Sequence, residues 1–209
     1  MEGELLKVFD KNRNEIGVAS RSEVHQKGLW HETFHCWLVR KDPSGTEIFF
    51  QLRSKNKKDW PNLLDITAAG HLLADETVED GIREVEEELG IPVHFQDLIS
   101  LGVIQNQVTI GAFLDHEFCH VFLYEGNFKH EDFNLQEEEV SGMFQASFDE
   151  FCELWTGGRE TLEVEGFVLD KEGVRLSESR VVSQDDFVSQ ESTYYPELIE
   201  KMTKIMGRQ

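Results

Sequence analysis

Residues 83–90 read Arg-Glu-Val-Glu-Glu-Glu-Leu-Gly, and this octet decides the fold. Val78, Ile82, Val85 and Leu89 recur at spacings of four, three and four, so the pattern predicts a helix over 78–90 with one apolar face. Gly90 stops that helix and Pro92 prevents its resumption. Gly81 in its middle disfavours the helix by about 1 kcal/mol relative to Ala, which implies close packing there. At ~100° per residue Glu84 and Glu88 stand ~40° apart, with Glu87 ~60° to the other side of Glu84. Three carboxylates therefore fan over one narrow face. Like charges at these spacings destabilise a helix by a few tenths of a kcal/mol per pair. Glu79, Asp80 and Glu86 add to the repulsion, and Arg83 alone offsets it locally. A hard divalent cation with oxygen ligands, such as Mg²⁺, would relieve it; a solvated acidic helix face is the plainer alternative.

Outward from the helix, strand signals dominate. LLKVF and EIGVA flank the turn-rich DKNRN within residues 5–19, which predicts a hairpin. After the polar stretch SRSEVHQKG, the segment WHETFHCWLVR reads as a strand ending near Arg40. DPSG (42–45) then turns it into EIFFQLR. SKNKKDWPNLL is an irregular basic loop, and LLDITAAGHL a buried strand breaking at Gly70. Further strands are expected at 98–105, 107–113, 117–124 and 138–146, then a helix from Phe148 to Trp155 behind a hydroxyl cap. Residues 159–195 read as irregular with strands possible at LEVEGFVL and GVRLSESRVV, and Leu198, Met202 and Ile205 recur at helical spacing near the end. Strands alternating with two or three helices point to an α/β or α+β sandwich.

Composition narrows the function. The chain has 209 residues with 20 basic and 41 acidic side chains, a net charge of −21. Such a chain is a poor binder of duplex nucleic acid or of anionic membrane surfaces. No run approaches the ~20 apolar residues of a membrane span, and the first residues lack the apolar core of a signal peptide. Cys36, Cys119 and Cys152 lie far apart with no CxxC, and read as small buried apolar residues of a reducing compartment, with a cytoplasmic location expected. A small polyanionic substrate fits only if metal ions supply positive charge.

The octet and its flanks resemble the Nudix hydrolase family, whose box is G-x5-E-x7-R-E-U-x-E-E-x-G-U with U aliphatic. Arg83, Glu84, Val85, Glu86, Glu87, Glu88, Leu89, Gly90 and Ile91 match the second half throughout. Counting back eight from Arg83 reaches Asp75 in place of the usual Glu, with Gly70 one residue too close, so the loop reads as shortened by one. The resemblance implies that Gly70 lets the loop turn against the helix, that Arg83 ties that loop down, and that Gly90 ends the helix. It implies Glu84 as candidate base or ligand, with Glu88 also catalytic, and Glu87 and Glu88 as ligands of Mg²⁺ or Mn²⁺. The reaction implied is attack of metal-activated water on a diphosphate linkage.

WHETFHCWLVR, DWPNLLDITAAGH and DHEFCHVFLY resemble more narrowly the branch containing isopentenyl-diphosphate isomerase, and the Nudix domain of dipeptidyl-peptidase-III-like plant proteins, over roughly residues 20–147. The isomerases carry a second metal site of three histidines and two glutamates. By that resemblance His25, His31 and His71, with Asp115 and Glu117, form a second site suited to Zn²⁺ or Mn²⁺. Ala69 stands where the isomerase cysteine would be, which weakens the isomerase reading. Arg53 and Lys58 match diphosphate-binding positions, with Lys55 and Lys57 secondary. Trp60-Pro61 reads as a packed hinge or as an aromatic wall, and one of Glu137, Glu138 and Glu139 is an alternative to Glu117.

The expectation is a Nudix α/β/α sandwich with a mixed sheet: an N-terminal hairpin arm at 1–28, the Nudix domain at 29–158, and an extension at 159–209 packed on it. The expected activity is metal-dependent cleavage of a diphosphate linkage in a small molecule. An isomerase-like enzyme and a non-catalytic Nudix-fold binding module are the rivals. The apolar C-terminal stripe is a candidate dimer surface.

Overall fold

The computed structural model describes residues 3–43 and 45–207. Ser44 of the DPSG turn, and the outermost two residues at each end, lie outside the described residues. The predicted first hairpin forms from β1 (Leu5–Phe9) and β2 (Glu15–Ser20). Asp10 closes its turn by accepting from the backbone N–H groups of Asn12 and Asn14 at 2.8 and 2.9 Å. The polar stretch after it, given no element by the sequence, forms a short helix, α1 (Arg21–Lys27). The Ser20 hydroxyl caps it by accepting from Glu23 N, and the chain leaves it through Gly28.

β3 (Trp30–Asp42) is the spine of the molecule. Its side chains alternate strictly: Phe34, Cys36 and Leu38 enter one core, Trp37 and Val39 the other. Both faces are covered, so the strand reads as a nearly continuous buried run rather than as an alternating one. It pairs with β4 (Gly45–Arg53) only over residues 39–42, and then the two strands part. Below the parting, β5 (Leu64–Asp65) adds to β4 and β6 (Ala68–His71) adds to β3. The expected single strand is thus two short ones, and Gly70 lies within β6 rather than ending it.

On its other edge β3 pairs in parallel with β8 (Phe113–Glu125), whose antiparallel partner is β7 (Ile99–Ile110). The two strands expected at 98–113 are one, because the cross-strand pairing runs from Ile99 to Ile110 with a single bulge at Leu101. β9 (Val140–Ser147) pairs with β4 and carries the hairpin β10 (Leu162–Leu169) and β11 (Arg175–Val182). The two strands held possible at LEVEGFVL and GVRLSESRVV are therefore present, and they extend the sheet.

Helix α2 (Arg83–Leu89), entered through a 3₁₀ turn at Asp80–Ile82, packs Val85 and Leu89 against Phe34, Leu38 and Phe49 on one face. On the other face lie α3 (Phe148–Thr156), capped by Ser147, and α4 (Tyr194–Met206). The layered α/β/α expectation holds. The α4 stripe does not serve a dimer surface: Leu198 and Met202 are fully buried against the sheet beside Phe151 and Leu154.

The close packing implied at Gly81 is present, since a Cβ there would stand 2.7 Å from Phe34 Cβ. Gly81→Ala should therefore destabilise the protein by about 1–3 kcal/mol in urea unfolding, although propensity alone favours Ala by about 1 kcal/mol. A stabilised variant would disprove the contact.

Candidate active site

Where β3 and β4 part, a cleft of about 590 Å³ opens, floored by β5, β6 and the inner face of α2. The box helix reaches it with two carboxylates. Glu88 is buried, and its Oε2 accepts from Gln51 Nε2 at 3.1 Å and from Ala69 N at 3.2 Å. Burial, reinforced by the Glu84 charge, pushes its proton affinity well above the usual carboxylate range. Glu84 lies against the backbone of β6, so close that a Cβ on Gly70 would come within 2.0 Å of its Oε1. Burial pushes Glu84 up to about 7 against the pull of the adjacent Arg83. Glu87 lines the rim with its side chain 55% exposed. The predicted fan thus divides into two inward carboxylates and one outward.

Arg83 braces this arrangement. Its Nε donates to Glu76 Oε1 at 2.6 Å and its Nη2 to the His71 carbonyl at 3.2 Å, while Nη1 lies 2.7 Å from Glu84 and 3.2 Å from Glu87. Glu76, not Asp75, meets the arginine; Asp75 is exposed. Counting from Gly70 explains the offset: five residues separate it from Glu76, and the missing residue falls between Glu76 and Arg83. The 3₁₀ turn at 80–82 lies within that shortened stretch.

The second constellation is drier. His25 from α1, His31 from β3 and His71 from β6 bring ring nitrogens within 4.8 Å of one another, and a His31 nitrogen lies equally close to carboxylate oxygens of Asp115 and Glu117. Among the described residues the box glutamates form no such group; Arg83 pairs with Glu84 and Glu87, and Glu88 is met by Gln51 and the Ala69 N–H. The His25 and His31 Nδ1 atoms face the carbonyls of Arg21 and Leu29 at 2.9 and 3.2 Å, which directs both Nε2 atoms inward. His25 Nε2 lies 3.4 Å and His31 Nε2 3.7 Å from Asp115 Oδ1. His31 Nε2, His71 Nε2 and Asp115 Oδ1 are buried without a hydrogen-bond partner, the condition of atoms built to meet a cation. Burial holds His31 down to about 4 and His71 well below its ordinary value, so both are neutral and ligand-ready at neutral pH. Glu117 is raised by burial and by Asp115, with Asn106 Nδ2 donating to it at 2.9 Å.

The basic loop is arranged differently from its sequence reading. Arg53 lines the cleft but acts as a strut: it donates to the carbonyls of Asp59 and Trp60 and pairs with Asp65 at 2.7 Å. Lys58 is exposed and outside the cleft lining, as is Lys55; Lys57 lines it, hydrogen-bonded to Glu139. Loop periodicity carries no information about which of two adjacent lysines turns inward. Of the three loop glutamates, Glu139 alone is among the lining residues. Trp60 sits at the rim with φ +47°, a strained conformation before Pro61, its ring edge-on to Phe113 at 5.2 Å. Arg21, Gln51, Asn106 and Gln190 were missed. Arg21 had a signal, the S-x-x-E start of α1 with Gly28 at its end; the others sit on elements with no local mark of function. Cys36 and Cys119 are fully buried free thiols, and burial raises both.

A mixed sheet between helices, split to hold a glycine-cradled glutamate helix beside a cleft, is the architecture of a NUDIX domain. The chain belongs to that family: the NUDIX domain profile matches residues 12–163. It is 40% identical over 195 residues to an uncharacterized Nudix hydrolase of Clostridium acetobutylicum, covering 93% of this chain and 95% of that one. It is 35% identical over 159 residues to Nudix hydrolase 3 of Arabidopsis thaliana, covering 72% of this chain but 20% of the plant protein. An isopentenyl-diphosphate Delta-isomerase of Serratia proteamaculans is 29% identical over 126 residues, 59% of this chain and 66% of that one. Among solved structures, one from Deinococcus radiodurans superposes with a TM-score of 0.56 at 18% identity, covering 75% of this chain and 91% of the other. A MutT/nudix family protein of Enterococcus faecalis gives 0.53 at 12% identity, covering 84% and 62%. Among the described residues no helix is long and apolar enough to cross a membrane.

Arg83→Met should cost about 1–3 kcal/mol, the range for lost hydrogen bonds to charged groups, in urea unfolding. It should also speed amide exchange at Leu73, whose N–H donates to Glu76 at 2.8 Å. Unchanged exchange there would show that Arg83 does not hold the loop.

Proposed function

We propose that this chain is a divalent-metal-dependent pyrophosphohydrolase acting on a small molecule in which a diphosphate joins another group. The observation that carries the reading is the placement of two desolvated carboxylates, Glu84 and Glu88, on the floor of a cleft whose walls carry Arg21 and Lys57.

The residues fit the cations the family uses. The carboxylate oxygens of Glu84, Glu87 and Glu88 are hard donors of the kind Mg²⁺ and Mn²⁺ take. His25, His31, His71, Asp115 and Glu117 form a mixed nitrogen and oxygen set, with three unpartnered buried atoms, suited to Zn²⁺ or Mn²⁺. When bound, such ions would supply positive charge for the diphosphate and lower the pKa of a water.

The chain's own groups do the rest. Lys57 and Arg21 meet phosphate oxygens, and Arg53 keeps the 59–60 turn in place behind them. Glu84 accepts the proton of the attacking water; a new P–O bond forms as the bridging P–O bond breaks, and the leaving phosphate takes up the negative charge. Glu88, held at one oxygen by Gln51 and Ala69, fixes the carboxylate geometry beside it. An isomerase would need an acid on the far side of a double bond, and Ala69 offers only its methyl group and a backbone N–H already committed to Glu88.

Glu84→Gln should lower kcat by about 10²–10⁴-fold, the span of general acid–base effects, on a panel of diphosphate compounds assayed by chromatography of the phosphomonoester products with Mg²⁺ or Mn²⁺. Glu87→Gln with Glu88→Gln should abolish turnover while circular dichroism stays native. Activity that survives thorough chelation would defeat the reading.

A further inference from the structure

Val188, Ser189 and Gln190 form part of the cleft wall, yet they come from the segment between β11 and α4, beyond the 12–163 family match. That segment is pinned at two points, and the first residue of α4 adds a third. Val188 N donates to Leu64 O at 2.8 Å, Glu191 N donates to Asn106 Oδ1 at 2.8 Å, and the Tyr194 hydroxyl lies 2.8 Å from His35 Nδ1. The middle pin settles the orientation of the Asn106 amide, because with Oδ1 engaged its Nδ2 faces Glu117.

Gln190 stands one residue before that pin. Its side-chain Oε1 is buried and has no hydrogen-bond partner. Two other cleft-lining residues share this condition, His71 at Nε2 and Asp115 at Oδ1, and both belong to the histidine/carboxylate cluster. Gln190 is a neutral acceptor on a backbone held from both sides, so a ligand finds it in position without an ordering cost. A buried acceptor left unpaired costs free energy, and a site built around one discriminates strongly against ligands with no donor. Trp60 and Phe113 offer flat apolar surface to any organic group and do not discriminate; Gln190 does.

We propose that Gln190 Oε1 accepts a hydrogen bond from the organic group attached to the diphosphate, so that the cleft selects diphosphates bearing hydroxyl or amine groups over those bearing hydrocarbon. This rests on the cleft being a diphosphate site. The strap from 188 to 191 is then a specificity element added to the family scaffold from outside its box.

The test is calorimetric titration of the full chain in Mg²⁺ with UDP-glucose and with isopentenyl diphosphate, for wild type and Gln190→Met, which keeps length and removes the acceptor. Wild type should bind UDP-glucose at least about 10-fold more tightly. The variant should lose about 10-fold on UDP-glucose while isopentenyl diphosphate stays within about two-fold. Equal losses on both ligands, no loss on either, or failure of UDP-glucose to bind would overturn the inference. So would a parallel fall in Mn²⁺ affinity, since the oxygen would then serve the cation. Cleavage, to UMP and glucose 1-phosphate or to isopentenyl phosphate and phosphate, is read by chromatography in the same samples. An affinity gap without turnover refutes the hydrolase reading and supports the strap's role; turnover without the gap refutes the strap's role alone.

Discussion

Every buried backbone N–H and C=O needs a partner, and in this molecule that requirement shapes the cleft. β3 and β4 hold each other over four residue pairs and then part, which would strand two ladders of polar groups in the core. β6 takes up the ladder of β3 at residues 33–36, and β5 takes up that of β4 at 51–52. The connection between those two short strands crosses the gap, so His71, Gly70 and Asp65 arrive on the cleft floor as a consequence of backbone pairing. Parallel pairing with β8 then sets His31 opposite Glu117.

Burial acts on the two sets of ionisable groups in opposite directions. It raises the carboxylates Glu84, Glu88 and Glu117, and it lowers the imidazoles His31, His35 and His71. Asp115 is the exception: burial raises it, but the neighbouring histidines hold it below its ordinary range. The result is a floor on which, Asp115 apart, the groups that burial shifts favour their neutral forms, in a protein of net charge −21. The cleft's cations, Arg21, Arg53, Lys57 and Arg83, are each hydrogen-bonded or ion-paired to an acidic group. A polyanionic ligand therefore has to compete with carboxylates for those side chains, which is the electrostatic case for additional positive charge at the site.

Much of this was legible in the residues. The apolar spacing and the glutamate fan located α2, and the histidines and acids singled out by resemblance come together across β3, β6, β8 and α1. The failures have local causes. α1 is seven residues long, too short for periodicity to register, although its Ser20 and Gly28 ends were written in the chain. Asp75 was chosen by counting from the helix, where one residue is missing, instead of from Gly70, where none is. Arg53 and Lys58 were assigned by resemblance, but a guanidinium with carbonyls in reach becomes a strut, and a loop turns one lysine inward and its neighbour out.

The sequence alone determined what depends on near neighbours: strand alternation, helix faces, caps, and the adjacency of three glutamates whose repulsion demands a countercharge. Tertiary structure alone decided which atoms meet. Gln190 shares a wall with Glu117 across 73 residues of chain because the strap before α4 hydrogen-bonds to Leu64 and Asn106. Glu84 is desolvated, and Glu87 is not, because β6 passes within contact of one side of the helix and water covers the other. Those outcomes follow from long-range packing, and no local spacing of residues encodes them.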